Sequence, residues 1–260
     1  MKILDQVYMV TDAEETVNAS FFITERGTVV IDTMRKPADG ELLLAHIHTN
    51  TAKPVRLVIN THFHADHTFG NTAFSAPILS TDRTRKQMEK RTAPRWGKIA
   101  SENMPFPLPE ITFSGELDLH FREFHAHLQE VGGHAAGLTV IYIPEKKVLF
   151  TSDLIFSGRF PFLGDANLPD WIAALKAFEN LDIEVVVPGH GEPCGPEVLQ
   201  EQRIWLEKLF DRVQSLADDD HPHGTILNMI IEEFEVPKFR HEMLETFLRT
   251  FTDELRGNAR

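Results

Sequence analysis

The sequence predicts an α/β protein with two sheet-rich halves, and three observations carry that reading. Short apolar runs recur along the chain, bounded by turn residues. Segments of helical periodicity lie between them. The residues best suited to chemistry directly follow strand-like runs, where α/β proteins place their sites. The chain has 260 residues, 42% hydrophobic and 25% charged, which is ample material for a core. Its net charge of −13 argues against a general nucleic-acid surface, and its single cysteine, Cys194, excludes an intrachain disulfide. The N-terminus lacks a long apolar stretch and no segment approaches a membrane span. The expectation is a cytoplasmic protein with no membrane contact.

Taken in order, residues 3–10, 17–24 and 28–33 read as three strands, the third ending at Asp32. Pro37 opens a helix running to about Thr49, with Leu42, Leu43, Ala45 and Ile47 inward and His46 and His48 at the surface. Residues 54–59 read as a short buried strand. Residues 68–74 form a helical turn whose Thr and Asn content suits hydrogen bonding around the preceding loop. Residues 77–80 are a strand, after which Thr81 and Asp82 cap a charged helix from about Arg83 to Trp96. The prolines of residues 104–109 permit neither regular helix nor central strand, so this is a connector. Residues 111–113, 117–124 and 126–131 alternate as strands, with His120, His125 and His127 on a solvated face. Residues 138–143 and 147–150 form a hairpin, grouped with the first three strands into the second sheet-rich half. A helix over residues 168–181 turns Trp171, Leu175 and Phe178 inward. Residues 185–187 are the last buried strand, and residues 197–216 a long amphipathic helix that the acidic run 218–220 ends as a solvated linker. A two-helix tail follows, apolar at Ile226, Ile230 and Phe234 and again at Leu244, Phe247, Phe251 and Leu255. Packing onto the body, a lid, or a dimer contact are all open for this tail, and a homodimer is one expectation.

The chemistry concentrates in His62-Phe63-His64-Ala65-Asp66-His67, directly after the strand at residues 54–59. His62 and His64 are two apart, so extended backbone projects both to one side of a single metal ion. Asp66 and His67 point elsewhere and suit a second ion. Further along stand Gly132-Gly133-His134-Ala135-Ala136-Gly137, then Phe150-Thr151-Ser152-Asp153-Leu154, then Val187-Pro188-Gly189-His190-Gly191. This His-x-His-x-Asp-His loop, followed in order by His134, Asp153 and His190, resembles the metallo-β-lactamase superfamily over most of the chain.

The resemblance implies a four-layer αβ/βα sandwich with the site at one edge between two mixed sheets. It implies a catalytic domain over residues 1–218, with residues 219–260 as a helical extension packed on it. Asp32 either supports the metal loop from beneath, as in the family, or is a strand-end turn carboxylate. His62, His64 and His134 would hold one ion; Asp66, His67 and His190 would hold a second; Asp153 would bridge. This nitrogen and oxygen donor set suits two Zn2+ and admits iron or manganese. A shared water that ionises near neutral pH would be the nucleophile, with Asp66 orienting it as the catalytic residue. Two dications, two carboxylates and a hydroxide leave roughly +1 at the centre, which favours an anionic small-molecule substrate. The implied reaction is hydrolysis of an ester, thioester, lactone or β-lactam.

Departures from known members matter. Zinc β-lactamases of the best-known subclass carry Cys in place of Asp153 and a Lys shortly after it, and this chain has neither. Arg159 is the nearest cation in sequence and the candidate for a substrate carboxylate; Asn167, in the segment 164–167, is a second candidate for the cleft or a helix cap. Quorum-quenching lactonases use a Tyr near the metals, whereas only Tyr8 and Tyr142 occur here. Hydroxyacylglutathione hydrolases share the ligand pattern but the tail shows no clear basic set for glutathione. Two alternatives from other classes are a persulfide dioxygenase with one iron, whose Arg-Thr-Asp-Phe loop is absent here, and a non-catalytic metal-binding module.

Overall fold

Two mixed β-sheets pack face to face and each is covered on its outer side by helices. The structure, a computed structural model, describes residues 1–14, 16–91 and 107–257. The first sheet has seven strands in chain order: β1 (Lys2–Leu4), β2 (Val7–Thr11), β3 (Asn18–Thr24), β4 (Gly27–Ile31), β5 (Val55–Ile59), β6 (Ile78–Thr81) and β7 (Ile111–Phe113). Pairing is antiparallel from β1 to β4 and parallel from β4 to β7. The second sheet runs β12 (Val185–His190), β11 (Val148–Phe156), β10 (Leu138–Ile143), β9 (His125–Val131) and β8 (Glu116–His120), with only β11 and β12 parallel.

Among the described residues the helices are α1 (Pro37–Asn50), α2 (Ala65–Thr68), α3 (Asp82–Arg91), α4 (Leu168–Phe178), α5 (Glu197–Asp218), α6 (His223–Glu233) and α7 (His241–Leu255). Strand alternation sorts side chains between layers. In β3, Phe22 faces the second sheet and meets Phe124 and Phe150, whereas Phe21 and Ile23 face outward onto Leu43 and Ile47 of α1. On the far side, Leu138, Val140 and Leu149 of the second sheet pack against Trp171, Leu175 and Phe178 of α4 and onward to α5, α6 and α7. This is the four-layer sandwich.

Several elements differ from the sequence expectation. The first strand is two, because Gln6 takes a left-handed conformation (φ 63°) that folds β1 back on β2. In α1, Leu42 and Ala45 are exposed, and Asp39, Gly40, Leu43 and Ile47 form the buried face. The strand expected over residues 117–124 ends at His120, where Phe121 and Phe124 close a tight turn. The hairpin of β10 and β11 does not join the first strands in one sheet; the N-terminal strands belong to the opposite sheet. The last part of the charged helix, 92–96, and residues 104–106 of the proline connector lie outside the described residues.

Gly40 and Gly70 let α1 and the 3-10 turn Phe69–Ala73 approach closely behind the histidine loop. A Cβ at Gly70 would lie 1.9 Å from the Thr33 carbonyl oxygen and 2.9 Å from the Gly40 Cα. We expect Gly70→Ala to destabilise the fold by about 1–3 kcal/mol, the usual cost of overpacking, read as a lowered denaturant midpoint. An unchanged midpoint would show that the turn yields freely.

Candidate metal centre

Most of the site lies at or just beyond strand ends, with Asp153 inside β11. β4 delivers Asp32, β5 delivers the loop from Asn60 to His67, β11 carries Asp153 and β12 ends in His190. In β11, Leu149 faces out and Phe150 faces in, so unbroken alternation would turn residue 152 inward rather than 153. Ser152 takes φ 46° at a register shift between β11 and β12, a bulge that brings Asp153 to the inner side. Gly189 leaves room for it: a Cβ there would stand 2.0 Å from Asp153 Oδ1.

The sequence-selected residues converge. His64 Nδ1 lies 3.0 Å from His62 Nε2 and 2.9 Å from His134 Nε2. Three nitrogens sharing a tetrahedral zinc at ordinary bond lengths would stand roughly 3.4 Å apart, so this spacing fits one small cation. Asp153 Oδ2 is 3.3 Å from His134 Nε2, 3.8 Å from His62 Nε2 and 3.2 Å from His190 Nε2. Its Oδ1 lies 3.1 Å from His67 Nε2, yet both of these buried atoms lack a hydrogen-bond partner. Asp66 Oδ2 is 3.5 Å from His190 Nε2. The donor atoms therefore form two groups, His62/His64/His134/Asp153 and Asp66/His67/His190, each with its atoms within 4.8 Å of one another. Asp153 stands between them.

The outward nitrogen of every histidine is held by the protein. His62 Nδ1 meets Thr61 Oγ1 at 3.1 Å, His64 Nε2 meets Asp165 at 2.9 Å, and His67 Nδ1 meets Asp32 at 2.8 Å. His134 Nδ1 meets the Phe162 carbonyl at 3.1 Å, and His190 Nδ1 meets the Thr16 carbonyl. Acceptors placed there favour the tautomer with its N–H outward, so that each ring, once neutral, turns its lone pair inward as a metal needs. Asp32, at φ 59°, also accepts from the Thr61 N–H at 2.8 Å and the Thr61 hydroxyl at 2.7 Å, with the Ser152 hydroxyl 3.3 Å away. A third group of donors, Asp32/His62/His67, lies equally close. Its carboxylate already holds these donors on the outer side of His67, so it serves as support.

Charge follows from burial. Burial, with His67 and His64 adding to it, pushes His62 well below its ordinary value, and burial takes His134 down to about 3, so both are neutral. Burial opposes ionisation of Asp153, but His190, His67 and His134 outweigh it and hold its carboxyl well below the usual range. Burial likewise opposes protonation of His67 and His190, yet Asp153 raises both, with Asp32 helping at His67. Cations entering here would displace those protons.

A cleft of about 950 Å³ opens onto His64, Asp66, Asp153 and His190. Arg159 lines it from the exposed loop after β11, as does Asp165. Asn167 is not among its lining residues; its side chain accepts from the Asp170 N–H at 2.9 Å and caps α4. Tyr8 stacks on Phe21, and the Tyr142 hydroxyl donates to the Asp182 carbonyl; neither lines the cleft. The Thr and Asn residues after the loop bond its backbone and one another rather than the rings: Thr68 donates to the His64 carbonyl, and Asn71 exchanges amide bonds with Asn60. His120, His125 and His127 lie far along the second sheet, where Glu145 and Asp118 pair with the latter two. The sequence reading missed Asp165 as a partner of His64, and Pro237, Phe239 and Arg240, which the tail places in the cleft wall.

The sequence model of the metallo-beta-lactamase superfamily matches residues 13–190, which contain every residue of both donor groups. The chain belongs to the metallo-beta-lactamase superfamily. It is 23% identical over 237 residues to a linear primary-alkylsulfatase of a Pseudomonas species, and 28% identical over 174 residues to the 2,4-dinitroanisole O-demethylase subunit alpha of a Nocardioides species. These alignments take in 72% and 64% of this chain but 44% and 50% of the relatives, so the chain spans about half the length of both. A type 2 metallo-beta-lactamase of Elizabethkingia meningoseptica is 28% identical over 207 residues, covering 74% of this chain and 78% of that protein. Among solved structures, a metallo-beta-lactamase from Pontibacter korlensis superposes with a TM-score of 0.65 at 26% identity, over 80% of this chain and 97% of that one. The DIM-1 metallo-beta-lactamase gives 0.67 at 20% identity, a likeness of fold. The superfamily consists mostly of metal-binding hydrolases. No described helix is long and apolar enough to cross a membrane.

Asp32→Asn keeps a residue that tolerates the left-handed backbone but removes the charge that orders Thr61 and His67. We expect it to weaken metal binding about 10–100-fold in a chelator competition, with the fold intact by circular dichroism. Unchanged affinity would remove Asp32 from the account.

Proposed function

We propose that this protein is a binuclear metal-dependent hydrolase that cleaves an ester, thioester, lactone or β-lactam carbonyl. The observation that carries the reading is the position of Asp153, with Oδ2 toward His62, His134 and His190 and Oδ1 toward His67. One carboxylate between two donor groups suits two ions better than one iron, and this favours the hydrolase over the dioxygenase. In this reading His62, His64 and His134 would hold the first ion and Asp66, His67 and His190 the second, with Asp153 between them; zinc fits the donor chemistry best. When bound, such ions acidify water to near neutral pH and polarise the substrate carbonyl.

The chain's own residues supply orientation and proton handling. Burial opposes ionisation of Asp66, but His67 and His190 hold it below its ordinary value, so at neutral pH it is an acceptor facing the cleft. There it accepts a hydrogen from the attacking water and fixes its direction. Phe156 stacks on the His190 ring with centroids 5.0 Å apart, and Phe162 stands edge-on to His64 at 5.5 Å. These rings keep the imidazoles in place and exclude bulk water from one wall. The names of the relatives point to three different substrates, an alkyl sulfate, dinitroanisole and β-lactams, and so support no single bond.

A hydrolysis panel across the four carbonyl classes, with an alkyl sulfate as contrast, tests the proposal. We expect turnover of at least one carbonyl substrate, loss of it on chelation and recovery with zinc. Oxygen uptake with a persulfide and no hydrolysis would contradict it. Asp66→Ala should lower kcat by about 10²–10⁴-fold while the fold survives. A variant near wild-type kcat would deny Asp66 its role.

A further inference from the structure

The C-terminal tail does more than cover the second sheet. Between α6 and α7 a single 3-10 turn, Lys238–Arg240, reaches into the wall of the metal cleft. The tail is anchored on both sides of this turn: Ile226, Ile230 and Leu244 lie in the core beneath it, and Met243 Sδ accepts from the Leu163 N–H at 3.2 Å. That bond ties α7 to the loop carrying Phe162, whose carbonyl holds His134. The turn is thus seated by the same segment that fixes a candidate metal ligand.

Arg240 occupies an unusual position. Its Cζ lies 5.5 Å from the Phe162 ring centroid and 5.2 Å from that of Phe239, so the guanidinium is flanked by two aromatic rings. Its Nε is buried and lacks a hydrogen-bond partner among the described residues. A buried, unpaired guanidinium nitrogen is costly unless something supplies an acceptor. Burial pushes Arg240 below its ordinary value, opposed by Asp66 and Asp153 acting across the cleft. Cations at the donor groups would balance those two carboxylates and leave Arg240 facing a positive centre, in need of an anion. Its cleft neighbours Pro237, Phe160 and Phe239 are apolar, and Phe239 is 78% exposed. Arg35, on another wall, is already engaged by Glu14 and Thr16. Arg159 sits on the exposed loop that Gly158 turns at φ 65°.

We propose that Arg240, with Phe162 and Phe239 as flanking rings, forms a subsite that binds a carboxylate on an apolar substrate, set across the cleft from the reacting centre. This rests on the hydrolase reading for the word substrate, but not for the binding itself. The planar guanidinium, fixed by ring contacts, offers its N–H edge to both oxygens of a carboxylate. The subsite makes the tail a determinant of specificity, and Arg240 rather than Arg159 its main charge.

The test uses the full-length, zinc-loaded protein and two probes. The first is a matched pair of aryl esters that differ by a carboxylate remote from the scissile carbonyl. We expect Arg240→Ala and Arg240→Gln to lower the ratio of kcat/KM for the anionic over the neutral ester about ten- to hundredfold, mainly through KM, with Arg240→Lys in between. The second is a non-hydrolysable ether analogue bearing the same carboxylate, whose Kd is measured by calorimetry. It should weaken by a similar factor in Arg240→Gln. An unchanged ratio, or an unchanged Kd in both uncharged variants, overturns the subsite. If wild-type protein hydrolyses neither ester, the ether Kd alone decides the subsite, and the hydrolase reading is decided separately by the four-class panel. Thermal melts of each variant confirm that the fold persists; should Arg240→Ala not fold, Arg240→Gln and Arg240→Lys carry the comparison.

Discussion

The carboxylate of Asp32 accepts hydrogens from Thr61 and His67 and lies within reach of Ser152, joining the loop after β5, the short helix α2 and strand β11. Through Thr61 it sets the turn that leaves β5; through His67 it fixes a ring; through Ser152 it meets the bulge that aims Asp153. Its own backbone is left-handed, as are Met34 and Ser152 nearby. Such conformations cost of order 1–3 kcal/mol each and persist only where surrounding bonds over-determine them. Asn18 does the same for the opposite corner: its side-chain amide donates to the carbonyls of Pro188 and Gly191 on either side of His190. The sandwich thus brings five histidines and two aspartates together from strand ends, the short helix α2 and the bulge in β11, with a few buried polar bonds setting their directions.

Burial then determines what the cluster can hold. Isolated charges are expensive inside a protein, and a set of neutral imidazoles beside ionised carboxylates lowers its free energy by taking up cations. Burial holds His62 and His134 neutral, whereas Asp153 raises His67 and His190 against burial, with Asp32 helping at His67. His67 Nε2 and Asp153 Oδ1 stand 3.1 Å apart and have no other hydrogen-bond partner among the described residues.

Much of this was legible in the sequence because its signals are local. The His-x-His spacing, the strand before it and the glycine turns at residues 132–133 and 189 each depend on neighbours in the chain. The helix with Trp171, Leu175 and Phe178 inward follows from periodicity alone, and all three are buried. What sequence could not place depends on tertiary approach. Leu42 and Ala45 fit the apolar stripe of α1, but Gly40 packs against Gly70 and rotates the buried face toward Asp39 and Leu43. The hairpin of β10 and β11 was grouped with the wrong strands, since sheet membership turns on pairing across distant segments. Asn167 could cap or line, and the cap takes its side chain. Asp165 and Arg240 carry no motif; one meets His64 101 residues away in sequence, and the other enters the cleft from the tail.

The central proposal is that Asp153 would join two metal sites. Loading metal-free protein with cobalt(II) and recording its electron paramagnetic resonance tests this most directly. The account predicts about two cobalt ions per chain at saturation, with spectra that show magnetic coupling through the bridging carboxylate, and loss of that coupling in Asp153→Asn. Saturation at one ion, or two ions that remain magnetically independent in the wild-type protein, would contradict it.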